Sequence, residues 1–194
     1  MAVYEIALER RTIRKYKQHI SISREKLLKF VEAAKNAPSA ANLQPIRYIV
    51  VDNKDDVEAV FENVRWAAYI NPKGNPKEGE KPVSYIIMLL DKNSRKTSYE
   101  YVDLGLAAQT ICLVAWEEGI GTCLLGAINR KNVREKFLIP EQYEIGLIVA
   151  LGYIAENPVQ EELKNSCEYY QDENNELHVP KRTTEEVVLN INDL

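Results

Sequence analysis

Residues 98–118, SYEYVDLGLAAQTICLVAWEE, read as one helix that is apolar nearly all round. Such a helix has almost no face to offer water, so it demands packing on several sides. That requirement makes it the central element of the 194-residue chain. Gly119 is placed to end it, since glycine takes up the left-handed conformation that closes a helix. Two further apolar runs, VSYIIMLLD (83–91) and IGLIVALGYI (145–154), are predicted as buried core strands.

The other elements follow from spacing and punctuation. IRYIVVD (46–52) is β-branched and aromatic and predicts a strand, with a shorter one over 122–128. Val3, Ile6 and Ala7 mark a short helix over 2–9. Ser23 is a candidate N-cap, with Ile22 and Leu27 as its hydrophobic staple, for a helix that stops before Pro38. Val57, Val60, Phe61 and Val64 mark another helix, and Asn129 can cap one that carries Val133 and Phe137. Residues 65–82 hold three prolines and two glycines and predict a long surface loop. The expectation is one mixed α+β domain over 1–194, with four strands and five helices. From 155 the chain is polar and acidic and shows no core of its own. TTEEVVLNI (183–191) still has apolar residues to bury, which predicts a C-terminal arm over 155–194 lying on a partner subunit.

Composition removes several functions. The net charge is −4, which makes the chain a poor general polyanion binder, so nucleic acid is not an expected partner. Cys112, Cys123 and Cys167 are an odd number without CxxC spacing and form no disulfide or metal framework; the first two lie in apolar runs and are expected buried. No run reaches the length of a membrane span, and a reducing, cytoplasmic setting follows. GxGxxG after a strand, a Walker loop and HExxH are all missing. His19 and His178, both in polar segments, give little material for a histidine-based triad, and no metal site is expected.

Two stretches remain for chemistry. ERRTIRKYK (9–17) sets Arg10, Arg11, Arg14, Lys15 and Lys17 in the head of an acidic chain; residues 1–17 carry +3 and the remainder −7. Arg10 and Arg14 would share a face if the first helix continued, a fork suited to phosphate. The alternative is a solvated helix end that favours the negative pole of the helix dipole. NAPSAANLQP (36–45) lies between helix and strand. It offers the amides of Asn36, Asn42 and Gln44, the Ser39 hydroxyl and small residues that let backbone approach a ligand; the alternative is a plain connector.

Together the pieces resemble the FMN-dependent nitroreductase family. RRTIRKY (10–16) is similar to that family's opening R-R-S-x-R-x-[FY], and APSAANLQP (37–45) to its A-P-S-x-x-N-x-Q-P signature. Residues 103–128 resemble its central helix and the glycine-bearing turn behind the flavin, 140–153 its last core strand, and PKR (180–182) its C-terminal basic residues. The resemblance implies an α+β sandwich with a mostly antiparallel sheet flanked by helices, forming an intertwined homodimer with two FMN at the interface. It implies that Arg10, Arg182 and Lys181 hold the phosphate, Arg11 and Thr12 bond phosphate or ribityl oxygens, and Arg14 lies by the pyrimidine edge of the ring. Pro38, Ser39, Ala40, Asn42 and Gln44 would come from the other subunit. The backbone of Leu125, Gly126 and Ala127 would face N5 and the C4 oxygen. The implied chemistry is ping-pong, with NAD(P)H as reductant and a nitroaromatic, a quinone or a related small molecule as acceptor. Reductive dehalogenation or flavin handling on the same fold is the alternative. A non-enzymatic module binding RNA or an acidic protein is a third, and Tyr16 as the one aromatic in 9–17 counts against it. Ile46 stands where the family often has an aromatic residue, and the 65–82 loop is short for the family.

Overall fold

The computed structural model describes residues 2–70, 72–94 and 97–189. Alternation along β2 (Ser84–Asp91) sets its layers. Successive side chains of a strand point to opposite faces. Tyr85, Ile87 and Leu89 enter one cluster, Ile86, Met88 and Leu90 the other, and all six are buried. A strand buried on both faces needs cover on both. On one side α2 (Arg24–Lys35) and α4 (Glu100–Glu117) supply Leu27, Phe30, Leu104, Ala108 and Ile111. On the other, α3 (Lys54–Phe61), α5 (Arg130–Lys136) and the segment between α3 and β2 supply Val60, Val133 and Trp66. The sheet runs β1 (Ile46–Val51), β2, β4 (Tyr143–Tyr153), β3 (Ile120–Leu125), and every neighbouring pair is antiparallel. This is the expected α+β sandwich, helices on both faces of an antiparallel sheet.

Local signals act where the sequence puts them. The Ser23 hydroxyl accepts from the Lys26 N–H at 3.3 Å, and Ile22 and Leu27 are both buried beside it. Asn129 accepts from the Asn132 N–H at 3.3 Å and opens α5. Gly119, at φ 71°, closes α4. Among its described residues the 65–82 loop contains no helix or strand but one short 3-10 turn, Ala68–Ile70. Cys112 and Cys123 are buried and Cys167 is exposed. Among the described residues no helix is long and apolar enough to cross a membrane.

Strand β3 ends the sheet, and an open edge invites unwanted pairing. The cationic head covers it. α1 (Val3–Glu9) stops at Arg10, whose ψ of 127° is extended. Arg10 and Arg14 therefore share no helical face; the expected continuation fails because the head pairs with the sheet instead. Thr12 bridges Thr122 in parallel, the Ile13 N–H donates to the Thr122 carbonyl at 2.9 Å, and Tyr16 bridges Ile154. Ile13 and Tyr16 have no exposed surface. Their seats are glycines paired across β3 and β4: a Cβ at Gly121 would lie 2.7 Å from the Ile13 Cβ, and one at Gly152 2.7 Å from the Tyr16 Cβ.

Two expectations change. In the single chain α4 is not covered on every side, since Tyr101, Val102 and Leu106 are exposed. The segment from 155 is not without structure. It forms a second sheet, β5 (Val159–Glu162), β7 (Leu177–Lys181), β6 (Tyr170–Gln171), followed by α6 (Thr184–Val187) under a Thr183–Glu186 capping box. Its strands are polar, so no apolar period announces them. Ring stacking of Tyr170 on His178, with centroids 4.9 Å apart, and the buried Leu177 hold it. This sheet lies on the head of its own chain, with the Ala155 N–H donating to the Lys15 carbonyl at 3.0 Å. Residues 190–194 of the expected arm lie outside the described residues.

Gly152→Ala is expected to push Tyr16 out of its seat and destabilise the chain by about 1–3 kcal/mol, the usual range for overpacking. Urea unfolding checks it; a wild-type midpoint would show that the head does not need the glycine hollow.

Candidate functional site

The extended head presents its cations to a cleft of about 420 Å³. Arg10, Arg11, Thr12 and Arg14 form one wall, with Ala7 and Leu8 of α1 behind them. Lys181 at the end of β7, Val179, Pro180, Gln160, Cys167 and Tyr169 complete the lining. Among the described lining residues are four cations and no carboxylate. Like charges held together without an acid call for an anion between them.

The guanidinium groups are not satisfied from within. Nε of Arg10 and Nε of Arg14 are buried and make no hydrogen bond. A buried unpaired donor costs free energy, and it marks a place made for an absent partner. Arg11 is occupied: it donates to the Arg10 carbonyl at 2.7 Å and to the Gln160 side chain. Arg14 lies over Tyr169, its central carbon 4.6 Å from the ring centroid, a cation–π contact. Tyr69 meets the same ring edge-on at 5.2 Å. The charge of Arg10 reaches Cys112 on α4, where burial raises the thiol and the positive charge pulls it back.

Behind the cations sits Glu156, just after β4. Its carboxylate accepts from the N–H groups of Arg14 and Lys15, the latter at 3.1 Å. It grips the backbone of the head and leaves the guanidinium of Arg14 free. Burial pushes its carboxyl up, against the pull of those two N–H groups.

The 37–45 stretch makes a different cleft, of about 360 Å³, lined by Pro38, Ser39, Gln44, Tyr48, Asp103 and Ala107 among others. It shares no residue with the cationic cleft. Ala41, Asn42 and Gln44 hold φ values of 49°, 54° and 48°. Each left-handed non-glycine residue costs about 1–2 kcal/mol, so the surroundings must enforce this path. They do so through Asp103, which accepts from the Ala40 N–H at 3.0 Å, and Ser39, whose hydroxyl accepts from the Gln44 N–H at 3.0 Å. Asp103 is 4% exposed inside the apolar helix α4. Of the seven described non-glycine residues at positive φ, three fall within four consecutive positions here, a clustering that points to function.

The remaining predicted residues are scattered. Leu125 is buried at the end of β3, while Gly126 and Ala127 are exposed. Ala127 lines a hollow with Asn63, Arg65 and Asn129, separate from both clefts, and the space beside Gly126 is open. Arg182 is exposed and lines neither cleft, whereas its neighbour Lys181 does. Of the aromatics in the 65–82 loop, Trp66 is buried against Phe61, and Tyr69 is exposed beside Tyr169. Sequence reasoning missed Glu156, Gln160, Tyr169 and Asp103. Only Asp103 carried a signal, as an acid in the middle of an apolar helix.

The profile of the Nitroreductase family matches residues 7–153. A Methanothermobacter thermautotrophicus protein with the provisional name NADH dehydrogenase/NAD(P)H nitroreductase is 30% identical over 162 residues, covering 81% of this chain and 80% of its own. The iodotyrosine deiodinase of Thermotoga neapolitana is 26% identical over 166 residues, covering 78% of this chain and 88% of that one. Among solved structures, an FMN-dependent nitroreductase of Clostridium difficile R20291 matches with a TM-score of 0.67 at 26% identity, over 96% of this chain and 97% of that one. The chain belongs to the Nitroreductase family.

Glu156 gives a pH prediction. Its folded-state pKa lies above the ordinary glutamate range. Between those two values the folded chain binds more protons than the unfolded one, so stability falls as pH rises through the window. Glu156→Gln is expected to flatten that fall in urea unfolding followed across acidic pH; an unchanged slope would show that burial of this carboxylate carries no penalty.

Proposed function

We propose that this chain is an FMN-dependent oxidoreductase that takes electrons from NAD(P)H and passes them to an electron-poor small molecule, a nitroaromatic or a quinone. The carrying observation is the cleft of four cations without a carboxylate, in which two buried guanidinium Nε groups lack partners. The family supports the same reading, since the M. thermautotrophicus relative is named for NAD(P)H nitroreduction and the C. difficile one for FMN dependence. When bound, FMN supplies the redox chemistry.

This chain's residues bind and orient it. Arg10 and Lys181 line the same cleft and would hold the phosphate, to which charge-assisted bonds are strong. Thr12 adds a hydroxyl from the same wall. Arg14 sets a fixed positive charge, held in place by Glu156 on its backbone and Tyr169 on its face. A cation there favours negative charge on the ring system. Tyr169 covers one face of the guanidinium, and Tyr69 packs edge-on against that ring.

Pro38, Ser39, Ala40, Asn42 and Gln44 lie away from this cleft in their own chain, so they serve the flavin of a partner subunit. The working unit is then a homodimer with two FMN. Unpartnered apolar residues support it: Val3, Tyr4 and Leu8 on α1, and Tyr101, Val102 and Leu106 on α4. Val187–Leu189, also exposed, give the end of the tail something to lay on a partner. Free cysteines fit a cytoplasmic setting. Leu125–Ala127 back the ring from their turn, and Arg182 contributes charge outside the cleft. The deiodinase relative keeps reductive dehalogenation as the second reading.

The protein purified with added FMN is expected to be yellow, dimeric by light scattering, and bleached by NADH or NADPH; a protein that stays colourless would remove the proposal. Nitro, quinone and halogenated acceptors offered anaerobically separate the two readings. Arg10→Ala is expected to weaken FMN binding roughly tenfold to a hundredfold, the loss of one charged hydrogen bond. Arg14→Ala is expected instead to lower the flavin midpoint potential by tens of millivolts, since about 30 mV corresponds to 1.4 kcal/mol for two electrons. Fluorescence titration and spectroelectrochemistry read the two effects.

A further inference from the structure

The second sheet lies beyond the residues matched by the family profile, which end at 153. At its end the turn between β6 and β7 brings Asp172, Glu176 and His178 together. One ligand atom of each lies within 4.8 Å of the other two. Nε2 of His178 stands 3.8 Å from Asp172 Oδ2 and 4.0 Å from Glu176 Oε2, beyond hydrogen-bond reach of either. It is shielded from solvent and makes no hydrogen bond. Nδ1 of the same ring meets Glu161 Oε2 of β5 at 3.2 Å. The Tyr170 ring stacks on the imidazole with an interplanar angle of 8°, and the Tyr170 hydroxyl donates to Glu161 at 3.0 Å.

Each contact has a chemical consequence. Glu161 can accept a hydrogen bond from Nδ1–H, the tautomer that leaves the Nε2 lone pair free for a metal. A carboxylate behind a ligating histidine is the common way of orienting it for a metal. Tyr170 holds both the ring and that carboxylate. Asp172 Oδ1 accepts from the N–H groups of Asn174 and Glu176 at 3.0 and 2.7 Å, so the side chain is fixed while Oδ2 keeps only one 3.3 Å contact from the Asn174 amide. Two held donors, on His178 and Asp172, and the freer carboxylate of Glu176 thus lie within 4.8 Å of one another.

We propose that Asp172, Glu176 and His178 bind a first-row divalent metal ion of the Zn²⁺ type, with Glu161 as the positioning residue behind the histidine. One imidazole and two carboxylates suit Zn²⁺, whereas Mg²⁺ and Ca²⁺ take oxygen ligands throughout. Metal–ligand bonds of about 2.0–2.2 Å in a tetrahedral site put ligand atoms about 3.4 Å apart. The present spacings of 3.8 and 4.0 Å close to that by a few tenths of an ångström, and Glu176, at 46% side-chain exposure, has room to move. Three protein ligands leave the fourth position to water. The ion also answers the charge: Glu161, Asp172 and Glu176 surround a single imidazole. Its effect is structural. It pins the β6–β7 turn to β5, and this sheet carries Gln160, Tyr169 and Lys181 onto the cationic cleft.

The test uses the full chain, stripped with a chelator and titrated with Zn²⁺ by calorimetry, with thermal unfolding on the same samples. One ion per chain and a raised unfolding temperature are expected. Asp172→Asn retains the acceptor for the turn N–H groups, so it folds, and it is expected to weaken binding at least tenfold; His178→Gln should do the same or more. Glu161→Gln, which touches no metal, is expected to weaken it about tenfold through the lost tautomer, in the range seen for such supporting groups. Co²⁺ in place of Zn²⁺ should give visible bands that these variants abolish. No binding to the wild type, or binding untouched by all three variants but lost in Cys167→Ser, would overturn the assignment. FMN content read on the same samples is independent, and its absence would strike the flavin reading and leave this one standing.

Discussion

The seating of Ile13 and Tyr16 in the hollow over Gly121 and Gly152 holds the rest of the site in place. Without side chains at those two paired positions the edge of the sheet is open to the head, and two large apolar residues bury completely against it. Everything charged in the head is placed by that anchorage. Arg10, Thr12 and Arg14 stand in the run bonded to β3, and their backbone is tied again by Thr122, Tyr153 and Glu156. A guanidinium on a loose terminus would pay the entropy of ordering when it met its ligand; here that loss is met by apolar burial during folding.

Charge and strain are kept apart in the single chain. One cleft gathers four cations and leaves two Nε donors unpaired. The other holds three residues in left-handed conformations through Asp103 and Ser39. Both are unfavourable arrangements for a chain that had only to fold. α4 runs beside both, with Asp103 at the strained loop and Cys112 within reach of Arg10's charge. Its uncovered flank around Tyr101 and Leu106 lies on the same element.

The C-terminal segment shows a different economy. It has little apolar surface, and its small sheet relies on paired rings, carboxylates and turn hydrogen bonds. Such a structure is stable only as long as its polar groups all find partners. It covers the cationic cleft with Tyr169, Gln160 and Lys181, so the least apolar part of the chain finishes its most charged part.

The sequence by itself determined the core elements. β2, β4 and α4 are legible because runs such as VSYIIMLLD and LAAQTICLVAW gain free energy by leaving water. Ser23, Asn129 and Gly119 marked boundaries through backbone chemistry that acts within a few residues. The head and the 37–45 stretch were visible as composition, and their family resemblance as order. Only the tertiary structure decided that the head is extended, since a helix and a paired edge differ by contacts to β3 more than 100 residues away. It also decided that Lys181 lines the cleft of the arginines in the single chain, that Tyr169 lies on Arg14, and that His178 has three carboxylates around it. Those facts depend on polar residues brought together from distant positions, and polar residues carry no period that reports where they will be placed.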